Sequence, residues 1–73
     1  MNWRAVVGEN VRRLRRARGL TQEQLAFQAK IDLTYVGGIE RGVRNPSLMV
    51  MVHIAAALDV GPGELLNQLP HIA

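Results

Sequence analysis

The chain contains no cysteine and few aromatic residues, and both absences exclude classes of function. None of its 73 residues is cysteine, and tryptophan, tyrosine and phenylalanine occur once each. A disulfide framework and a thiolate metal site are therefore excluded. One tryptophan is also too few for a protein that stacks single-stranded bases on aromatic rings.

Residues that could form an active site are equally scarce. The sequence has no paired carboxylates, no metal-ligand spacing and no glycine-rich phosphate loop, and its one serine, Ser47, stands where it would cap a helix. His53 lies among apolar residues, and His71 follows a proline. We therefore predict that the protein is not an enzyme and holds neither a metal nor another cofactor.

Long apolar runs are missing too. The longest, residues 48–58, has about half of the ~20 residues that a membrane-spanning helix needs, and it contains His53. Charged residues interrupt any apolar run near the N-terminus, so we expect no signal peptide, no membrane contact and a cytoplasmic location. The length leaves room for one domain, residues 1–73, with a single small core.

Basic residues outnumber acidic ones. Nine lysines and arginines stand against six acidic residues, which gives a net charge of +3, and five of the nine lie between Arg12 and Arg18. This balance favours a polyanionic partner. The same cluster is also typical of a solvated basic helix face, so charge alone leaves both interpretations open.

Apolar residues recur with a helical period along the chain, and helix-capping residues stand at the ends of the periodic segments. Thr21, Asp32 and Ser47 are in position to cap the helices that follow them, and Gly19 and Pro70 are expected to end helices. No strand-like alternation occurs. The sequence therefore predicts an all-α fold of five helices, over residues 2–18, 22–29, 33–41, 48–58 and 62–69.

Each predicted helix has one apolar face that we expect to point inward. The predicted inward residues are Val7, Val11, Leu14, Leu25, Ala26, Ala29, Val36, Ile39, Leu48, Met51, Ile54, Ala55, Leu58, Leu65, Leu66 and Leu69. On the third helix this leaves Leu33, Thr34, Gly37 and Gly38 on the outer face.

The second and third helices are short, lie about three residues apart and are followed at once by basic residues. This is the spacing of a helix-turn-helix, here residues 21–41. Three runs, VRRLRRARGLTQEQLA, TYVGGIERGVRNPS and IAAALDVGPGELL, resemble in order and spacing the Cro and phage-repressor (Xre-like) family of DNA-binding transcriptional regulators. The run DLTYVGGIERGVRNPSL resembles especially the small controller proteins of restriction-modification systems.

The resemblance covers residues 11–66 and implies a compact five-helix domain like that of lambda repressor. It implies a sequence-specific regulator, a repressor or autoregulator, that binds double-stranded DNA on the nucleoid. A protein-interaction adaptor or an antitoxin with the same fold is the alternative. The regulator and the adaptor differ in the salt dependence of DNA affinity, which only a DNA-binding protein should show.

The resemblance also assigns roles to individual residues. Those expected to contact base edges are Asp32, Leu33, Thr34 and Gly38. Those expected to contact the DNA backbone are Thr21, Gln22, Tyr35, Gly37, Arg41, Arg44 and Asn45. Arg15 and Glu40 are expected to form a structural ion pair between the first and third helices.

Two features of the third helix leave alternatives open. Leu33 offers bases only an apolar contact and could instead pack against the second helix. Gly37 and Gly38 each weaken a helix by roughly 1 kcal/mol relative to alanine. Either the bare backbone approaches DNA closely, or a large side chain covers it.

The fourth helix is apolar on nearly all sides, which indicates burial on more than one side. We expect it to form a homodimer interface that matches a near-palindromic operator. The predicted interface residues are Met49, Val50, Val52, His53, Leu65, Leu66, Leu69 and Ile72. The alternative is that the fifth helix and the tail fold over the fourth helix.

Overall fold

The computed structural model describes residues 1–68, which form four α-helices, one 3₁₀ helix and no strand. The elements are α1 (Trp3–Ala17), α2 (Gln22–Ala29), α3 (Leu33–Glu40), α4 (Leu48–Ala57) and the 3₁₀ helix (Pro62–Leu66). The all-α prediction is confirmed for these residues. The prediction of a fifth α-helix is wrong. The segment is a single 3₁₀ stretch, and the backbone is extended again at Asn67. Gly63 within it is a poor helix former. Leu69 lies outside the described residues.

Side-chain caps fix where three of the helices begin. The Thr21 hydroxyl accepts a hydrogen bond from the Gln24 amide at 3.0 Å, and the Gln24 side chain accepts one from the Thr21 amide at 2.8 Å. The Ser47 hydroxyl accepts from the Val50 amide at 3.1 Å, and Asn2 caps α1 in the same way. Asp32 occupies the N-cap position of α3, as predicted, and its backbone is extended, but its exposed side chain makes no capping hydrogen bond.

Left-handed residues end the helices and turn the chain back onto them. Gly19 and Gly42 have φ of +69° and +76°, a conformation that glycine adopts without steric cost. After α3, the Gly42 amide donates to the Ile39 carbonyl and the Val43 amide to the Gly38 carbonyl, both at 3.0 Å. This is a Schellman motif. It directs the residues after Gly42 back along α3.

One core joins all five elements. α3 packs between α1 and α2, α4 packs on α2, and the 3₁₀ helix lies against both α1 and α4. The buried apolar residues are Val7, Val11, Leu25, Ala26, Ala29, Val36, Ile39, Ile54, Ala55, Leu58 and Leu65.

Two residues predicted to point inward do not. Leu48 is 72% exposed, because α4 begins outside the core and its first fully buried residue is Ile54. Leu66 is also exposed, since a 3₁₀ helix does not keep neighbouring leucines on one face.

A buried amide ties the end of the described chain to α1. Asn10 is 3% exposed, and its Nδ2 donates to the carbonyl oxygens of Leu65 at 2.9 Å and Asn67 at 2.7 Å. These carbonyls would otherwise lie at a helix end without a partner. The two bonds therefore hold the 3₁₀ helix in place, and with it the core residue Leu65.

Within residues 1–68 no helix could cross a membrane; the longest, α1, has only 15 residues.

Candidate nucleic-acid interface

The inner face of α3 is fixed in the core while its N-terminal turn faces solvent. Val36 and Ile39 are fully buried, as predicted, and Tyr35 is half-buried. Thr34 is exposed, and Leu33 keeps 42% of its surface accessible. The beginning of α3 therefore presents one hydroxyl and one apolar side chain to whatever approaches it.

Gly37 and Gly38, which the sequence places on the outer face of α3, are buried. A Cβ atom on Gly38 would lie 2.5 Å from Cγ of Arg44. A Cβ atom on Gly37 would lie 3.1 Å from Nη1 of Arg41 and 3.9 Å from Oε1 of Gln22. Long side chains cover both glycines, which was the alternative left open by the sequence.

Glu40, at the end of α3, is the centre of a hydrogen-bonded network. Its side chain is 0% exposed, and Arg15 grips both oxygens, with Nε 2.7 Å from Oε2 and Nη2 3.0 Å from Oε1. The Gln22 amide donates to Oε1 at 3.0 Å, and Nε of Arg12 lies 3.6 Å from the same oxygen. Arg15 also donates to the Leu20 carbonyl at 2.8 Å. The network joins α3 to α1 and to the start of α2.

The network keeps both partners charged. Burial alone would raise the pKa of Glu40, but hydrogen bonds from Arg15 and Gln22, helped by the nearby positive charges, outweigh burial and hold its pKa below the ordinary value of 4.5. The hydrogen bond to Glu40 raises the pKa of Arg15. At neutral pH the pair is therefore ionised. It fixes the position of α3 relative to α1.

The remaining residues assigned to the DNA backbone lie around α3. Thr21, Arg41, Arg44 and Asn45 are exposed, whereas Gln22 is half-buried. The ion pairs among residues 1–68 are made by Arg12, Arg15 and Arg18, so no carboxylate in this part of the chain neutralises Arg41 or Arg44. The structure thus brings Gln22, Arg41 and Arg44 beside the covered glycines of α3.

Sequence reasoning missed the contributions of Arg12 and Gln22 to the Glu40 network. The signal for Arg12 was present, because Arg12 and Arg15 are three residues apart and therefore share one face of α1. No local signal marks Gln22, whose acceptor lies 18 residues away in the sequence.

The surface predicted for a homodimer is partly accessible. Met49, His53 and Leu66 are exposed, and Val50 and Val52 are half-buried. Leu65 must be corrected, because it is fully buried in the core and has no surface to offer a second copy. Leu69 and Ile72 lie outside the described residues.

Comparison with known proteins adds to this geometry. The sequence model of the helix-turn-helix family matches residues 11–65. The control protein C.BamHI of Bacillus amyloliquefaciens is 42% identical over 67 residues, 90% of this chain and 83% of that protein. The uncharacterized HTH-type transcriptional regulator y4dJ of Sinorhizobium fredii is 41% identical over 67 residues, 92% of this chain and 87% of that protein.

The fold is also similar to that of a solved structure. The restriction-modification controller protein C.AhdI from Aeromonas hydrophila superposes with a TM-score of 0.83 at 50% sequence identity. The match covers 85% of this chain and 94% of that one.

Proposed function

The chain belongs to the helix-turn-helix family of DNA-binding transcriptional regulators, which are not enzymes, and from this we propose that it binds double-stranded DNA as a homodimer with α3 in the major groove. In this proposal it acts as a sequence-specific repressor or autoregulator in the cytoplasm, on the nucleoid. One observation carries the proposal: the core and the Glu40 network hold the inner face of α3, while its N-terminal turn and the arginines that follow it, Arg41 and Arg44, are exposed.

Base recognition would rest on few side chains. Thr34 can exchange a hydrogen bond with a base edge and place its methyl group on a thymine methyl, and Leu33 can make only the apolar contact. Asp32 lies at the start of the same helix. The direct base contact predicted for Gly38 would require the Arg44 side chain, which covers it, to move aside. Since none of these gives strong bidentate discrimination, much of the specificity would come from the shape and deformability of the DNA.

Contacts to phosphate would come from both sides of α3. The N-terminus of α2 offers the Gln22 backbone N–H group at the positive end of a helix dipole, and the exposed Thr21 side chain with its hydroxyl lies beside it. The Tyr35 hydroxyl and the exposed Asn45 are further donors. Arg41 and Arg44 supply the charge that makes binding salt-dependent.

The first test is duplex binding. Sites selected from random duplexes should yield a near-palindromic sequence, with log Kd rising linearly with log salt by about 0.9 for each phosphate neutralised. Replacing Arg44 with glutamate should weaken binding at least about tenfold to all sequences, and Thr34→Ala should change preference at one base pair by up to about 1 kcal/mol. Fluorescence anisotropy measures both.

A charge-matched control is Arg18→Glu, because Arg18 faces Asp59 at 3.5 Å. It should change affinity far less than Arg44→Glu. Equal losses in the two variants, or binding without salt dependence, would contradict the proposed docking. The latter result would favour the protein-interaction adaptor.

The second test is the oligomeric state. Replacing exposed Met49 with arginine should convert a dimer into a monomer in sedimentation, because a charge would be buried in an apolar interface. Phe27→Arg is the control, since Phe27 is 86% exposed but lies on α2, outside the predicted interface. A wild-type chain that stays monomeric at high concentration and on DNA would overturn the homodimer.

A further inference from the structure

Arg44 lies along the outer face of α3 although it belongs to the loop that follows. Three consecutive atoms of its side chain approach the position of a Cβ on Gly38: Cγ at 2.5 Å, Nε at 3.1 Å and Cδ at 3.4 Å. The Schellman motif at Gly42 explains this path, because it returns the chain toward the carbonyl of Gly38. Two features therefore fix the position of Arg44: the backbone turn at Gly42 and the surface of α3 that Gly38 leaves without a side chain.

Only glycine at position 38 permits this arrangement. Any side chain there would occupy the space of the Arg44 stem, since real Cβ atoms do not approach other atoms to 2.5 Å. Thr34 and Gly38 are four residues apart and therefore lie on one face of the helix. The stem of Arg44 consequently crosses α3 one turn after Thr34, next to the few side chains available for base recognition.

We propose that Gly38 is a positioning residue that seats Arg44 on the recognition helix, and that its effect on DNA binding passes through Arg44 rather than through a contact of its own. This inference rests on the proposed DNA-binding function. It accounts for a helix-weakening residue in the middle of α3. The contact with α3 already restricts the conformations of the Arg44 side chain in the free protein. Less conformational entropy is therefore lost when Arg44 binds DNA.

The test is a double-mutant cycle on DNA affinity. Gly38→Ala in the wild-type background should weaken binding to the selected duplex about tenfold, and in an Arg44→Ala background it should change affinity less than about twofold. The melting temperature should stay constant or rise by a few degrees, because alanine favours the helix and exposed Arg44 can swing away.

Gly63→Ala is the control, because residue 63 lies in the 3₁₀ helix and is assigned no contact with DNA. It adds the same methyl group, but no atom lies within 4 Å of its Cβ position. Affinity should stay within about twofold of wild type, because the methyl group displaces no side chain that is proposed to contact DNA.

Three results would contradict the proposed role of Gly38 in positioning Arg44 without contradicting the proposed DNA-binding function. These are an equal loss from Gly38→Ala in both backgrounds, no loss in either, or a fall in melting temperature of more than about 5 °C, which would show that the helix gives way rather than Arg44. A wild-type protein that binds no duplex would instead contradict the proposed function, and the role of Gly38 with it.

Discussion

Replacing Arg15 with methionine is expected to lower the free energy of unfolding by about 3–5 kcal/mol. The Glu40 carboxylate would keep its place in the interior, 0% exposed, without the guanidinium that now binds both of its oxygens. Arg12 would offset only part of the loss, because it is 43% exposed and 3.6 Å away. A domain of this size has a total stability of the order of 5–10 kcal/mol. Urea denaturation followed by circular dichroism measures the change.

The matched control is the exposed pair between Arg18 and Asp59. Arg18→Met should cost less than about 1 kcal/mol, because both side chains are largely in solvent. A double variant, Arg15→Met with Glu40→Leu, should recover much of the stability lost in the single variant, since it leaves no unpaired buried charge. If Arg15→Met costs no more than Arg18→Met, Glu40 is not the buried charge described above.

Gly8→Ala is expected to lower the free energy of unfolding by about 2–3 kcal/mol, although alanine favours a helix. A Cβ at position 8 would collide with the carbonyl oxygen of Ile39 and lie 2.8 Å from that of Glu40. Both atoms are backbone, which cannot rotate away as a side-chain end can. The methyl group would push α1 and the end of α3 apart, and the Arg15–Glu40 pair spans the same two helices. Chemical denaturation of the variant measures the loss.

Gly63→Ala is the control for Gly8→Ala. No atom lies within 4 Å of its Cβ position, and its φ is not in the left-handed region. This substitution should leave stability unchanged or raise it slightly, because it restricts the unfolded chain. A Gly8→Ala variant as stable as Gly63→Ala would show that α1 and α3 do not pack as closely as described.

Local signals were enough to predict most of the helices. Thr21 and Ser47 cap helices with bonds to amides three residues on, so the residues that decide the boundary are all in view. Val36 and Ile39 follow a helical period and are buried as predicted. The resemblance to helix-turn-helix regulators, which rests on such runs and their spacing, is confirmed by the match to that family over residues 11–65.

The failed predictions depend on residues far apart in the chain. Periodicity cannot show that α4 starts outside the core, so Leu48 was wrongly placed inside. Nothing near Asn10 indicates that its amide binds carbonyls 55 and 57 residues away.

In the candidate site, too, the features that the sequence did not predict depend on how the chain folds back on itself. The covering of Gly38 depends on the path of the loop, which is set by the left-handed Gly42. Leu33 and Thr34 needed only the helix phase and lie exposed as expected.

The contact between Asn10 and the carbonyls of Leu65 and Asn67 has a consequence for synthesis on the ribosome. Among the described helices α1 is made first, but nearly the last described residues complete its packing, because Leu65 fills the core beside it. Chains are made from the N-terminus at about 5–20 residues per second. Until residue 65 leaves the exit tunnel, the nascent polypeptide therefore carries α1 with part of its apolar surface unprotected. Native tertiary structure is therefore completed only after residue 65 has left the ribosome.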